Sequence, residues 1–207
     1  MVPRTTLIKP VQSLLTALTQ PSSPDTLLST FTTTPTPLCH EHGLPQLAPF
    51  LGRSFTGRDG IARYFGLLSE HLDIKNMTFE PDDAWVVDDV SMAVCLRGSA
   101  KFVWKRTGQA WDETFVYRIA VAEDIRDGSK GELKVCEYRV WADTGAAYLA
   151  RLGRLGELVT VGNGIGNGEG IHVGKDGEGE TRGGLHRQKN SSDDVLGSGL
   201  NVYGSCG

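Results

Sequence analysis

The spacing of apolar residues changes character near residue 76. Before it the period is helical: Pro10 is followed by Val11, Leu14, Leu15 and Leu18, the i, i+3, i+4, i+7 pattern of an amphipathic helix with proline at a tolerated first-turn position. A second helix is predicted from Ser23, which can cap, through Pro24 in the first turn and Asp25 against the positive helix end, with Leu27, Leu28 and Phe31 as its apolar stripe. The run Thr32 to Pro37 ends it. Leu38 to His42 is short enough for a strand or an extended arm, and Pro45, Pro49 and Gly52 mark a loop leading to Gly57. Ile61, Phe65, Leu68 and Leu72 define a third helix after Asp59-Gly60.

From residue 76 the period becomes two and β-formers dominate. Strands are predicted over about 76–88, 91–105, 110–125 and 132–142, separated by turn signals at Asp88-Asp89, Thr107-Gly108 and Asp127-Gly128. In the second of these, Met92, Val94, Leu96, Ala100, Phe102 and Trp104 share one parity while Arg97, Lys101 and Lys105 share the other, so one face is apolar and the other wet. Ala146, Leu149, Leu152 and Leu155 suggest a closing helix capped by Asp143 or Thr144. Helices followed by an antiparallel meander argue an α+β fold, with helices packed on one face of a curved sheet.

Composition divides the chain. Residues 153–207 hold 16 of the 26 glycines and one of the 16 aromatic residues, Tyr203, so they have little to bury and read as a disordered tail, leaving 1–152 as the single domain. The formal charge of −4, from 21 basic and 25 acidic residues, and the absence of any long cationic run argue against a nucleic-acid partner or an anionic membrane surface. No apolar run is long enough to span a bilayer and no secretion signal is visible, so a cytoplasmic location is expected, although the acid-free, Ser/Thr-rich first 24 residues have a faint targeting character. Cys39, Cys95 and Cys136 sit in apolar or strand-like segments as small hydrophobes, and no CxxC pair suggests a metal or redox motif.

The segment Phe55-Thr56-Gly57-Arg58-Asp59-Gly60-Ile61-Ala62-Arg63-Tyr64-Phe65 and, after the strands, Glu137-Tyr138-Arg139-Val140-Trp141-Ala142-Asp143 together resemble the SnoaL-like branch of the nuclear transport factor 2-like superfamily over roughly residues 7 to 152. The resemblance implies a cone of three helices and a curved antiparallel sheet of about four to six strands, holding a small apolar ligand in its mouth. Its members include polyketide cyclases, ketosteroid isomerase, scytalone dehydratase and epoxide hydrolases, together with non-catalytic proteins, so the fold transfers better than the reaction.

On that resemblance His40-Glu41-His42 stands where ketosteroid isomerase places its general-base carboxylate. Glu41 is the nearest match, with His40 or His42 replacing it after a one-residue shift. In an extended segment His40 and His42 face one way and Glu41 the other, so only one set can enter a cavity. A carboxylate in an apolar cone has its pKa raised towards neutrality, which suits removal of a proton alpha to a carbonyl. The competing reading puts all three on a solvated loop edge. His-x-His is also a metal-ligand spacing, but no third ligand stands at a recognisable distance, and neither metal nor cofactor is expected.

Glu113 shares a face with Trp111, Phe115, Tyr117, Ile119 and Val121, which places it in a pocket or at the strand mouth; the nearby hairpin turn favours exposure. The resemblance aligns Phe115, not Glu113, with the proton-donating aspartate of ketosteroid isomerase. Tyr64, Tyr117 and Tyr138 could donate phenolic hydrogen bonds to a ligand, and Trp85, Phe102, Trp104 and Trp141 could wall the cavity, most of these aromatics serving equally as core. Asp143 matches an acid common in the family, and helix capping accounts for it too. The Tyr-Asp pair and paired strand histidines of scytalone dehydratase are missing, and the glycine repeat of 162–170 lacks the strand and helix of a dinucleotide fingerprint.

Two functions fit. One is an isomerase, cyclase or dehydratase working by cofactor-free proton transfer on an apolar, oxygenated molecule. The other is a non-catalytic ligand-binding or dimerisation module, a homodimer pairing through the sheet face that carries Arg97, Lys101 and Arg118.

Overall fold

A computed structural model of the chain describes residues 2–20, 23–125 and 131–157; nearly all of the glycine-rich tail, from residue 158 on, lies outside the described residues. Helix α1 (Arg4–Thr19) is followed by α2 (Pro24–Ser29), β1 (Leu38–Glu41), β2 (Ser54–Thr56), α3 (Gly57–His71) and β3 (Leu72–Phe79). A single 3-10 turn (Asp82–Ala84) leads to β4 (Val86–Asp88), β5 (Ala93–Trp104), β6 (Ala110–Glu123), β7 (Leu133–Trp141) and α4 (Thr144–Leu152). The strands form one curved, open sheet in the order β2-β1-β7-β6-β5-β3, with β4 also on β5. This is an α+β architecture in which α1 crosses β5, β6 and β7 while α3 packs on β1, β2 and β3.

Local chemistry accounts for most elements. The Ser23 hydroxyl accepts from the Thr26 amide, Pro24 occupies the first turn and Asp25 sits at the positive end, so α2 starts where its capping residues stand. Strands β5 and β6 pair without a break from Ala93↔Ala120 to Val103↔Ala110, joined by a turn in which Gly108 takes the left-handed conformation (φ 69°). On the inner face Gly98 lies under the rings of Phe115 and Phe79; a Cβ there would come within 2.4 Å of Phe115. A bulge in β7 at Cys136 keeps Val135 and Tyr138 on one face although they are three residues apart.

Several expectations from the sequence are corrected. Helix α1 begins six residues before Pro10, because its apolar face continues back through buried Ile8 and Leu7, and the proline lies inside the helix. The segment 76–88 is not one strand: Pro81, which cannot donate to a ladder, begins the 3-10 turn that separates β3 from β4. Strand β1 pairs antiparallel with β2 but parallel with β7, making the seven-stranded sheet mixed. Helix α4 buries Ala147 and Ala150 rather than the Leu149 and Leu152 stripe; small residues let the helix approach closely, and Leu152 is exposed.

The linker between α2 and β1 is pinned to the far end of β6. Asp124, buried, accepts from the amides of Thr33 and Thr34 and pairs with Lys134, while Thr32 donates its amide to the Val135 carbonyl. These bonds satisfy backbone groups in a segment without regular structure, and so fix where β1 begins. No helix among the described residues is long and apolar enough to cross a membrane.

Candidate active site in the cone

The parallel β1–β7 register sets the site. Glu41 is opposite Val140, which is opposite Tyr117 on β6, so a row across three strands carries Glu41 and Tyr117 on the inner face with one residue between them. The next row holds Cys39, Tyr138 and Ile119. From the helix side, Tyr64 of α3 donates its hydroxyl to Glu41 Oε2 at 2.6 Å. The Tyr64 and Tyr138 rings lie 6.2 Å apart edge to face, and Tyr138 packs 4.9 Å from Tyr117.

These groups face a cavity of about 790 Å³ whose lining is mainly apolar, with Phe65, Leu68, Phe102, Trp111, Phe115 and Ala147 around the polar set. That volume lies within the range of roughly 300–1,000 Å³ typical of small-molecule sites. Glu41 lines it while only 7% exposed. Burial pushes its carboxyl up to about 7; the Tyr64 hydrogen bond opposes the shift, and the charge of Glu113 adds to it. Burial likewise raises Tyr64, Tyr117 and Tyr138 above the ordinary phenol, so all three are neutral donors at physiological pH.

Glu113 is the second carboxylate. It is half-buried and lines the cavity, so the exposure favoured by the neighbouring hairpin turn is not what the structure shows; the carboxylate reaches inwards to where β6 meets the start of α4. Its Oε2 accepts from Trp111 Nε1 at 2.7 Å and its Oε1 from the Asp143 amide. Burial raises its pKa, these two bonds pull it down, and the nearby Asp143 carboxylate raises it. Asp143 caps α4, accepting from the Gly145 and Ala146 amides at 3.0 Å.

The other named residues lie elsewhere. His40 and His42 occupy the outer face, as strand parity requires once Glu41 faces in. The His42 ring stacks on Trp141 at 4.2 Å and 9°, and burial together with His40 and Arg139 lowers its pKa. Trp141, 41% exposed, is therefore outside the cavity. Trp104 is core, stacked on His71 and near Phe50; Trp85 is buried with its indole donating to the Glu80 carbonyl, and neither lines the cavity. Among the tryptophans it is Trp111 that walls the site, and the signal for it was visible: it shares strand parity with Glu113 and Tyr117. No cluster of metal-ligating side chains occurs among the described residues.

No protein-family model matches the sequence, and no curated protein matches it. Solved structures do. A nuclear transport factor 2-like protein of Burkholderia xenovorans LB400 shares 20% identity over 70% of this chain and 95% of its own, with a TM-score of 0.52. One from Burkholderia thailandensis E264 shares 20% identity over 70% and 97%, at 0.50, and a candidate isomerase of Bacillus subtilis shares 12% over 74% and 97%, at 0.55. At such identities the likeness is one of fold: the chain has the nuclear transport factor 2-like cone.

Proposed function

We propose that the cone binds an apolar, oxygenated small molecule and moves a proton on it with its own side chains, as an isomerase, cyclase or dehydratase does. The observation that carries this is Glu41: a carboxylate inside an apolar cavity, held at a pKa of about 7 and oriented by a single donor, Tyr64. At neutral pH such a group is divided between base and acid, so it can take a proton alpha to a carbonyl and return it elsewhere. The neutral hydroxyls of Tyr117, in the same row as Glu41, or of Tyr138, in the next row on the same face, would donate to the oxygen on which enolate charge develops. Glu113 has a different part. Burial raises its pKa on balance, but both its oxygens already accept hydrogen bonds, so it faces the ligand as an acceptor rather than an oxyanion donor.

The test does not require the natural substrate. 5-Nitrobenzisoxazole loses one C–H proton to a base, its N–O bond breaks, and a coloured cyanophenolate is released. Elimination by the wild-type protein is expected to rise with pH and level off above about 7, and Glu41→Gln is expected to lower it at least about a hundredfold. Equal rates for wild type and variant would remove the catalytic reading and leave the cone as a binding module.

A further inference from the structure

The cavity lining has a one-sided charge. Glu41, Glu113 and Asp143 line it, and among the described lining residues there is no lysine, arginine or histidine. An anionic ligand entering this space would lose its hydration and meet these acids with no counter-charge, whereas a cation would find Glu41 buried and Glu113 half-buried, already partly stripped of water.

The two carboxylates in the interior stand at different places. Glu113 is four residues from Tyr117 along one face of β6, roughly 13 Å at a strand rise of about 3.3 Å. Around Glu113 the wall is aromatic: Phe102 stacks on Trp111 at 5.5 Å and 22°, and Phe115 meets Phe102 edge to face at 6.0 Å. Ring faces beside a half-buried carboxylate are the combination that attracts an ammonium group, by quadrupole and by charge together. The Glu41 end, by contrast, offers phenol hydroxyls suited to a carbonyl or hydroxyl oxygen.

We infer that the ligand of this cone carries a basic nitrogen: an apolar body with an oxygen function at the Glu41–Tyr117–Tyr138 end and a protonated amine, or a quaternary ammonium, against Glu113 and the Trp111–Phe102–Phe115 wall. The inference rests on the cone being a ligand site, the binding half of the reading above, and it names the charge class that half left open. It also excludes a class: free carboxylates and phosphates are rejected.

Three probes of matched size separate the possibilities by titration calorimetry at one pH: 2-phenylethylamine as the cation, 2-phenylethanol as the neutral form and 3-phenylpropanoate as the anion. The amine is expected to bind on the order of tenfold more tightly than the alcohol, and the anion more weakly than either. In Glu113→Gln the amine-to-alcohol ratio is expected to fall to within about threefold, a quantity that a general loosening of the fold does not move. An anion bound as tightly as the amine, a ratio unchanged in Glu113→Gln, or no binding of any probe would each overturn the inference. Failure of the proton-transfer reading looks different: the amine preference holds while elimination of 5-nitrobenzisoxazole is indifferent to Glu41.

Discussion

The two faces of β1, β7 and β6 are made by alternate residues of the same strands, yet they differ in nearly every physical respect. On the inner face Glu41, Tyr138 and Tyr117 are buried, tied to one another or to α3, and shifted in pKa. On the outer face His40 is opposite Arg139, Arg139 is opposite Arg118, and Glu137 bridges the two arginines. These outer groups keep contact with water, so their pairing gains little, whereas one carboxylate taken out of water changes its proton affinity by orders of magnitude. Chemistry in this molecule is therefore decided by parity: a shift of one residue in β1 would exchange Glu41 for two histidines.

The most severe test of that contrast pairs the faces. Glu41→Gln is expected to remove at least about a hundredfold of the base-dependent elimination, while a His40→Ala, His42→Ala double variant stays within about threefold of wild type in the same assay. A comparable loss from the outer pair would erase the distinction.

Stability should follow the inner carboxylate as well. Because Glu41 in the folded chain has a pKa raised from 4.5 to about 7, the native state holds a proton that the unfolded chain has released between those values. Its contribution is thus fully present below about 4.5 and lost as pH rises through about 7, a change on the order of 3 kcal/mol. Urea midpoints across that window should decline for wild type relative to Glu41→Gln, and parallel curves would contradict the buried carboxylate.

Filling the space under the inner aromatics comes next. Gly98→Ala is expected to cost about 1–3 kcal/mol in thermal or chemical unfolding, because its Cβ would collide with Phe115 and Phe79. Tyr64→Phe leaves Glu41 without its donor, so the midpoint of the activity–pH curve should move up by about one pH unit; a downward shift would mean that another donor takes over. On the outer face Glu137→Gln is expected to change stability by less than about 1 kcal/mol, and a larger loss would show that this ladder holds the sheet together.

What could be read from the chain was what is local. The Ser23 cap, the β5–β6 hairpin with its alternation and the apolar run of α3 are written in neighbouring residues, and so was the mutual exclusion of Glu41 and the flanking histidines. The choice between those two alternatives was not, because it depends on β1 lying beside β7, a pairing between distant segments. The same holds for the tryptophans: strand parity places Trp104 and Trp111 on inner faces alike, but only the packing of His71 and Phe50 around one of them removes it from the cavity. Glu113 is not legible locally either: a turn nearby suggests solvent, while the start of α4 folds over it and supplies the Asp143 amide.

The parallel join of β1 to β7 also has a kinetic meaning. Leu38 meets Glu137 only after a loop on the order of a hundred residues has closed, a contact that gives nothing until most of the chain is in place. Until that closure Glu41 is an ordinary solvated acid; afterwards it must carry a proton half the time at neutral pH. Folding near pH 7 therefore draws about half a proton per molecule from the buffer as β1 docks, and a pH-indicator dye in a refolding experiment would time the burial of that carboxylate.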